Sequence, residues 1–253
     1  MKINVLFNHN NADELYFTKK TTVVIDVLRA SSTVVNAIQN DAKEIIPVTT
    51  VEFAVKVSGG MFGGQTLVGG ERNTRKVEGF ALGNSPLEYV RDIVAGKTII
   101  LYTTNGSKAI VKAKFSENLF VCSFLNLAAI VNHINELNKD FEILCAGKAN
   151  TFSLEDTVCA GKLISELEKT RDDLELTDSA RGSIAMNKVF GKNILKMLKE
   201  SDHGKVLIEN GFEDDLKFCS KLNYSHIIPY FAGNVIKFYE KLVPQSGAEI
   251  VAS

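Results

Sequence analysis

The segment "TTVVIDVLRASSTVVNAIQN", residues 21–40, contains the pattern that determines the predicted fold. Its first part is a run of β-branched and apolar residues typical of a buried strand, and "STVVNAIQN" has the spacing of a helix. Between them stand one acid, Asp26, one base, Arg29, and a hydroxyl cluster that ends at Thr33. Such an ending indicates either a strand followed by a capped helix or a binding site for an anion.

The same order of a short apolar strand and a helical pattern recurs along the chain. Examples are "KEIIPV" before "TVEFAVKVSG", "KTIILYT" before "GSKAIVKAK", and "FEILCAG" before "SLEDTVCAGKLISELEK". Continuous apolar strands separated by helices predict a mostly parallel sheet covered on both faces. We therefore expect an α/β fold in three layers, α/β/α, with mostly parallel or mixed sheets. No Pro-, Gly- or Ser-rich linker divides the chain, so residues 1–253 are expected to form a single compact unit.

Local signals predict where several helices begin and end. The S-x-x-acid pattern of a capping box predicts helix starts at Ser85 and Ser153. Residues 178–201 are expected to form one long helix. Residues 202–223 are expected to form a pair of helices broken at Gly211.

The charge balance and the cysteines limit the possible partners and locations. With 29 basic and 30 acidic side chains, the formal net charge is −1, so no global attraction to nucleic acid or membrane is expected. The N-terminal segment lacks the apolar core of a signal peptide, and no apolar run reaches the roughly 18 residues of a membrane span. The four cysteines stand in apolar segments without a C-x-x-C pair, which is typical of core residues in a reduced cytoplasmic protein.

Several common catalytic and phosphate-binding motifs are absent from the sequence. "SGGMFGGQTLVGGER" is rich in glycine, but Met61 and Phe62 interrupt any G-x-G-x-x-G pattern. The G-K pairs lack the earlier glycine that a Walker A motif requires. Leu28 occupies the second position after Asp26, so the D-x-D pattern of aspartate-nucleophile phosphatases is absent. No two histidines have H-x-x-x-H spacing, so a zinc site is not expected.

The predicted strand ends carry the candidate site residues, because ligands of doubly wound sheets bind beyond the carboxyl ends of strands. These residues are Asp26, Arg29, Ser31, Ser32, Glu71, Arg72, Thr104, Asn105, Glu155 and Asp156. Carboxylates suit Mg²⁺, arginines clamp phosphate, and hydroxyl and free N–H groups at a helix start bind anions. The pair Gly69–Gly70 before Glu71 is expected to let the backbone approach a ligand closely. The set is typical of a site that handles a phosphoryl group.

Several of these residues also have a purely structural explanation. Ser32 is a typical N-cap residue, and Asn105–Gly106 is a typical turn pair. The acids at 155–156 favour a helix dipole wherever they stand, and Arg72 is equally explained as a solvated loop charge. Asp26 is harder to explain in this way, because a carboxylate between apolar residues is costly to bury without a partner or a metal.

Several longer segments match one protein family, in order along the chain. They are "VVIDVLRASSTVVNAI", "GGER…GFALGNSPLEY", "YTTNGSKAI", "CAGKANTFSLEDTVCAG", "HGKVLIENGFEDDLKFC" and "IIP". Together they resemble the 2-phosphosulfolactate phosphatases over nearly the whole chain. The resemblance implies a Mg²⁺-dependent phosphatase that converts 2-phospho-3-sulfolactate to 3-sulfolactate and inorganic phosphate, which in archaea is a step towards coenzyme M. It also implies two similar, intertwined α/β/α halves.

The resemblance leads to a hypothesis for the site. Mg²⁺ is expected on Asp26, Glu71 and one or both of Glu155 and Asp156. Asp26 or Asp156 would act as general base on a water molecule, and a phosphoaspartate at Asp26 is the competing route. The expected substrate-binding residues are Arg29, Arg72, Ser31, Ser32, Thr104 and Asn105.

Other functions and the oligomeric state are left open by the sequence. One alternative is a phosphatase of broader specificity on phosphorylated 2-hydroxycarboxylic acids, and another is a non-catalytic anion-binding module. The expected partner is a small phosphorylated 2-hydroxy acid rather than a nucleic acid or a membrane. A homodimer is expected only because two-fold assemblies are common.

Overall fold

The computed structural model describes residues 1–60, 65–148 and 151–239, which form one large mixed sheet with helices on both faces. The strands are β1 (Lys2–Leu6), β2 (Thr21–Ile25), β3 (Glu44–Val48), β4 (Thr66–Arg72), β5 (Arg75–Lys76), β6 (Thr98–Tyr102), β7 (Asn118–Cys122), β8 (Phe141–Cys145), β9 (Glu175–Leu176), β10 (Pro229–Ala232) and β11 (Val235–Phe238). The α-helices are α1 (Ala30–Gln39), α2 (Val51–Gly59), α3 (Arg91–Val94), α4 (Gly106–Lys112), α5 (Leu127–Leu137), α6 (Leu154–Leu167), α7 (Asp178–Phe190), α8 (Ile194–Glu200), α9 (Asp202–Glu209) and α10 (Glu213–Cys219). Short 3₁₀ helices occupy Glu14–Phe17, Pro86–Glu88 and Phe124–Asn126. The predicted three-layer α/β class is confirmed.

The sheet consists of two parallel blocks that run in opposite directions. Its strand order is β5-β4-β6-β3-β11-β10-β7-β2-β8-β1-β9. One block is β4, β6 and β3, and the other is β7, β2, β8, β1 and β9. The hairpin β10–β11 pairs antiparallel with β3 on one side and with β7 on the other. These successive antiparallel pairings reverse the strand direction between the blocks.

The two blocks are interleaved along the chain, because β1 and β2 belong to the same block as β7, β8 and β9. This agrees with the expected intertwining. The similarity of the two halves and the single unit over residues 1–253 stay predictions.

The burial of β2 explains why helices cover both faces of the sheet. All residues of Thr21–Ile25 are buried. Val23 and Ile25 pack in the core that α5 and α6 share, whereas Val24 points to the other face and packs in the core of α1 and α4. Ile45 of β3 and Ile99 of β6 belong to this second core. Both parallel blocks therefore pack on α1 and α4, although β3, β11, β10 and β7 separate β2 from β6 in the sheet.

Of the two helix predictions for residues 178–223, one is wrong and one is confirmed. The prediction of one long helix over 178–201 is wrong, because α7 and α8 are separate helices. The Asn193 side chain accepts the Lys196 N–H at 3.0 Å and so starts a new helix. The predicted break at Gly211 is confirmed, since this residue has a φ of 85° between α9 and α10.

Neither of the two predicted capping boxes is complete. Ser153 caps α6, because its hydroxyl accepts the Asp156 N–H at 3.4 Å, but the Asp156 carboxylate accepts the N–H groups of Val27 and Gly147 instead of closing on Ser153. At Ser85 the box is incomplete, since Glu88 accepts the N–H of Gly83 at 2.8 Å instead of closing on Ser85. Only a short 3₁₀ helix follows Ser85, and α3 begins separately.

Two further expectations concern the cysteines and the absence of a membrane span. Cys122, Cys145, Cys159 and Cys219 are free and buried, which confirms that they are core residues. Within residues 1–60, 65–148 and 151–239, no helix has the length and apolar character needed to cross a membrane.

Candidate active site

A cavity of about 240 Å³ lies where strand ends of the two parallel blocks meet. Asp26 follows β2, Glu71 stands near the end of β4, and Thr103–Asn105 follow β6. The residues that line the cavity are Asp26, Leu28, Arg29, Glu71, Asn73, Thr74, Asn84, Thr103, Thr104, Asn105, Lys148, His203 and Val206. The predicted convergence of polar strand ends is thus observed. The strands come from oppositely directed blocks rather than from one parallel edge.

Asp26 lies in the loop before helix α1 and bonds to the first residues of that helix. Its Oδ1 accepts the Ala30 N–H at 3.2 Å, and its carbonyl oxygen accepts the Ser31 N–H at 2.8 Å. Burial raises the pKa of Asp26 to about 7, and the negative charges of Glu71 and Glu155 act in the same direction. The surroundings of Asp26 therefore compensate poorly for the negative charge of its ionised carboxylate.

Ser31 and Ser32 do not reach the cavity. The Ser31 hydroxyl accepts the Asp26 N–H at 2.9 Å, and the Ser32 hydroxyl donates to the Val27 carbonyl at 2.8 Å. Both side chains are fully buried within α1, so Ser32 is not its N-cap either. The structure does not bring these two predicted substrate-binding residues to the site, because their hydroxyls hold the loop that carries Asp26.

Glu71 ties together two loops of the cavity wall. Its two carboxylate oxygens accept the backbone N–H groups of Thr74 at 2.8 Å and Thr104 at 2.7 Å. The packing of neighbouring groups requires the preceding glycines. A Cβ on Gly70, whose φ is 144°, would collide with the carbonyl oxygen of Tyr102 on the neighbouring strand.

Arg29 is held rigidly by groups from distant parts of the chain. Its Nη1 donates to Asp215 Oδ2 at 2.7 Å, its Nη2 donates to the Thr74 carbonyl at 2.7 Å, and its guanidinium lies 4.3 Å from the ring centre of Phe212. Asp215 also accepts the Ser85 hydroxyl at 2.6 Å. Burial raises the pKa of Asp215, and the hydrogen bonds from Ser85 and Arg29 oppose this effect. Sequence reasoning missed Asp215, since no local signal links it to Arg29.

Arg72 does not belong to the cavity wall. It is exposed on the hairpin of β4 and β5, where it pairs with Arg75, and it does not line the cavity. In a strand, neighbouring side chains point to opposite faces, so the burial of Glu71 turns Arg72 outward. This agrees with the solvated-charge alternative and not with the predicted clamp.

Glu155 and Asp156 lie outside the cavity that Asp26 and Glu71 line. Asp156 accepts the N–H groups of Val27 at 2.8 Å and Gly147 at 3.2 Å, and so it joins two loops beneath the site. Burial raises its pKa well above the ordinary value, with the charges of Asp26 and Glu155 adding to the effect. Glu155 faces an adjoining cavity of about 350 Å³, and burial raises its pKa too.

The four predicted metal ligands therefore do not converge on one point. Within the described ranges, no group of three or more His, Cys, Asp or Glu side chains is arranged to hold a metal ion. Asp26 and Glu71 are the two carboxylates that share one cavity wall.

Four polar atoms of the cavity wall have no hydrogen-bond partner among the described residues. They are Thr74 Oγ1, Asn84 Oδ1, Thr104 Oγ1 and His203 Nδ1, and all are buried. Buried polar groups are normally hydrogen-bonded, so orphaned atoms around one cavity indicate a site for a polar ligand. Of these residues only Thr104 was predicted. Asn84 and His203 stand in segments that carry the family resemblance, but neither residue belongs to a sequence motif that indicates a functional role.

His203 is a neutral histidine among cationic neighbours. Burial lowers its pKa to about 4, and the charges of Lys148 and Arg29 lower it further. The cavity therefore combines carboxylates, cationic side chains and unpaired neutral groups. At strand ends of an α/β fold, such a cavity is typical of enzymes that act on small polar substrates.

Comparison with known proteins identifies the family. A family model described as 2-phosphosulpholactate phosphatase matches residues 8–234. A "Probable 2-phosphosulfolactate phosphatase" of Caldanaerobacter subterraneus subsp. tengcongensis is 38% identical over 90% of this chain and 95% of its own length. Proteins with the same name from Clostridium acetobutylicum and Clostridium novyi are 36% and 37% identical, over 93% and 91% of this chain and 100% and 97% of their own lengths. The chain belongs to the 2-phosphosulfolactate phosphatase family, and it is a phosphoric monoester hydrolase.

Proposed function

We propose that this protein is a Mg²⁺-dependent phosphatase that hydrolyses 2-phospho-3-sulfolactate to 3-sulfolactate and inorganic phosphate. Its family supports the chemistry, and one structural observation supports the site. Asp26, Glu71, Arg29 and Lys148 line a single cavity together with four orphaned polar atoms. Such a wall offers acidic oxygens for a cation and donors for an anion, which are the two requirements of phosphoryl-group handling.

The residues present fit Mg²⁺ by their donor chemistry. Mg²⁺ takes one or two protein carboxylates together with water and substrate phosphate, so a group of three protein ligands is not required. Asp26 would offer Oδ2, because its Oδ1 accepts the Ala30 N–H. Each Glu71 oxygen accepts one backbone N–H and retains a further lone pair. When bound, Mg²⁺ would polarise a phosphate oxygen and offset the repulsion between these two carboxylates.

The chain's own groups would orient the substrate and accept a proton. The hydroxyls of Thr74 and Thr104 can donate to phosphate oxygens, since neither Oγ1 has a partner among the described residues. Arg29, fixed by Asp215, adds a positive charge that does not have to be reoriented on binding. We assign the general base to Asp26 rather than Asp156, because Asp26 lines the cavity and Asp156 does not. A phosphoaspartate at Asp26 remains the competing route.

The alternatives of the sequence analysis are tested by the same assay. They are a broader phosphatase of phosphorylated 2-hydroxycarboxylic acids and a non-catalytic anion-binding module. We also propose a cytoplasmic location, which the four buried free thiols support, and a role towards coenzyme M wherever that cofactor is made. A homodimer remains a proposal from the frequency of two-fold assemblies.

The decisive experiment measures phosphate release from 2-phosphosulfolactate, phospholactate and phosphoglycolate, each with Mg²⁺ and then with EDTA. We expect Mg²⁺-dependent turnover with selectivity for the sulfonated substrate. Equal rates on all three would support the broader phosphatase. Absence of turnover by the folded protein would contradict the proposed function and leave the anion-binding module. Asp26→Asn should abolish turnover, and Asp92→Asn, at an exposed carboxylate of α3, is the matched control.

A further inference from the structure

Lys148 and His203 stand where two cavities adjoin. Lys148 follows β8, and His203 is the second residue of α9. Both line the cavity that contains Asp26 and Glu71, and both also line the adjoining cavity of about 350 Å³. Asp26 and Glu71 line only the first cavity. The two basic residues therefore mark the side of the site at which the second cavity begins.

Neither basic residue forms a salt bridge in the part of the chain that the structure describes, although Glu155, Glu200 and Asp202 also line the second cavity. No carboxylate oxygen there lies within 4.0 Å of a side-chain nitrogen of Lys148 or His203. Arg29, in contrast, is paired with Asp215 at 2.7 Å. His203 Nδ1 is buried without a hydrogen-bond partner among the described residues. Burial lowers the pKa of His203, and the positive charges of Lys148 and Arg29 lower it further. A half-buried ammonium group without a salt bridge and a buried imidazole nitrogen without a hydrogen bond are both unfavourable unless a ligand supplies the missing partner.

We propose that Lys148 and His203 bind the sulfonate group of the substrate and determine the preference for a sulfonated 2-phosphohydroxy acid. This inference rests on the proposed function, which assigns the phosphoryl group to the side of Asp26 and Glu71. A second anion cannot bind beside those carboxylates without repulsion, so it requires the positive side of the same cavity. The ammonium group of lysine is a compact point charge, and the imidazole offers a single N–H. Both suit a tetrahedral group with three oxygens better than the planar carboxylate that an arginine fork would select.

The test compares two substrates that differ in the sulfonate. 2-Phosphosulfolactate and 2-phospholactate share the phosphate and the carboxylate, and only the first carries the sulfonate. For Lys148→Met and for His203→Gln, we expect kcat/KM on the sulfonated substrate to fall by about 10- to 100-fold, the range for a lost hydrogen bond to a charged group. On phospholactate kcat/KM should change by less than about 3-fold, because no such bond is lost there. Lys148→Arg should recover part of the loss, since it retains the charge.

Controls and contrary outcomes keep this proposal separate from the proposed function. Lys43→Met and His226→Gln change the same residue types at exposed positions and should leave both substrates unaffected. An equal loss on both substrates, or no loss on either, would overturn the role in sulfonate recognition. Failure of the wild-type protein to turn over either substrate would refute the phosphatase instead. In that case calorimetric binding of 3-sulfolactate, lost in Lys148→Met but not in Lys43→Met, would still support the subsite, and unchanged binding would refute it.

Discussion

Asp26→Asn is expected to stabilise the metal-free protein at neutral and alkaline pH while it abolishes turnover. Asn retains the shape of the side chain, and its Oδ1 can still accept the Ala30 N–H that Asp26 accepts at 3.2 Å. The substitution replaces one carboxylate oxygen by an amide NH₂ group and removes the charge, which burial and the carboxylates of Glu71 and Glu155 make unfavourable. Stability is thus expected to rise at a position where function is lost.

The magnitude and the sign follow from the pKa of Asp26, which is raised from 3.8 to about 7. At about 1.36 kcal/mol for each pH unit between these values, the ionised group destabilises the folded state by about 4 kcal/mol. Between about pH 4 and pH 7 the folded protein holds a proton that the unfolded chain has lost, so this contribution to stability falls as the pH rises. Above about pH 7 ionised Asp26 destabilises the folded wild type by the full amount, whereas the variant has no such charge.

The assay is urea unfolding of both proteins in EDTA from pH 4 to pH 8, with Asp92→Asn as the exposed control. The variant should match the wild type near pH 4 and exceed it by an amount that approaches about 4 kcal/mol at pH 8. Mg²⁺ at a hundredfold excess over its dissociation constant should stabilise the wild type by about 2.7 kcal/mol, and the variant by less. A stability difference that does not vary with pH would refute the electrostatic argument. Equal stabilisation of both proteins by Mg²⁺ would refute Asp26 as a ligand.

Three further substitutions test the site geometry. Gly106→Ala should lower kcat by about 10-fold or more and cost about 1–3 kcal/mol in urea unfolding, because its Cβ would lie 2.5 Å from Asp26 Oδ2. Unchanged kcat would contradict the placement of Asp26. Asp215→Ala should lower the free energy of unfolding by about 3–5 kcal/mol, since Arg29 is left buried without its partner, and a loss below 1 kcal/mol would argue against that pair. Arg72→Ala should leave kcat/KM and stability within about 0.5 kcal/mol of the wild type, and a large fall in kcat/KM would restore Arg72 to the site.

Part of the candidate site could be predicted from the sequence, because polar residues that follow buried strands are visible without a structure. Asp26, Glu71 and Thr104 were found in this way, and all three line the cavity. The same rule also selected Ser31 and Ser32, whose hydroxyls bond within their own loop. A residue list does not show whether a hydroxyl points to a ligand or to its own backbone, since this depends on where the helix begins.

By itself the sequence determined the α/β class, the buried strands and the family, since these depend on local periodicity and on segments that are continuous in the chain. Only the tertiary structure decided which strand ends meet. The hairpin β10–β11 inserts between the two parallel blocks and reverses their direction, and no local pattern indicates this pairing. For the same reason the partner of Arg29 lies 186 positions away at Asp215, and Lys148 meets His203 at one cavity. Such contacts depend on how the whole chain packs, so the charge environment of Asp26 emerged only with the fold.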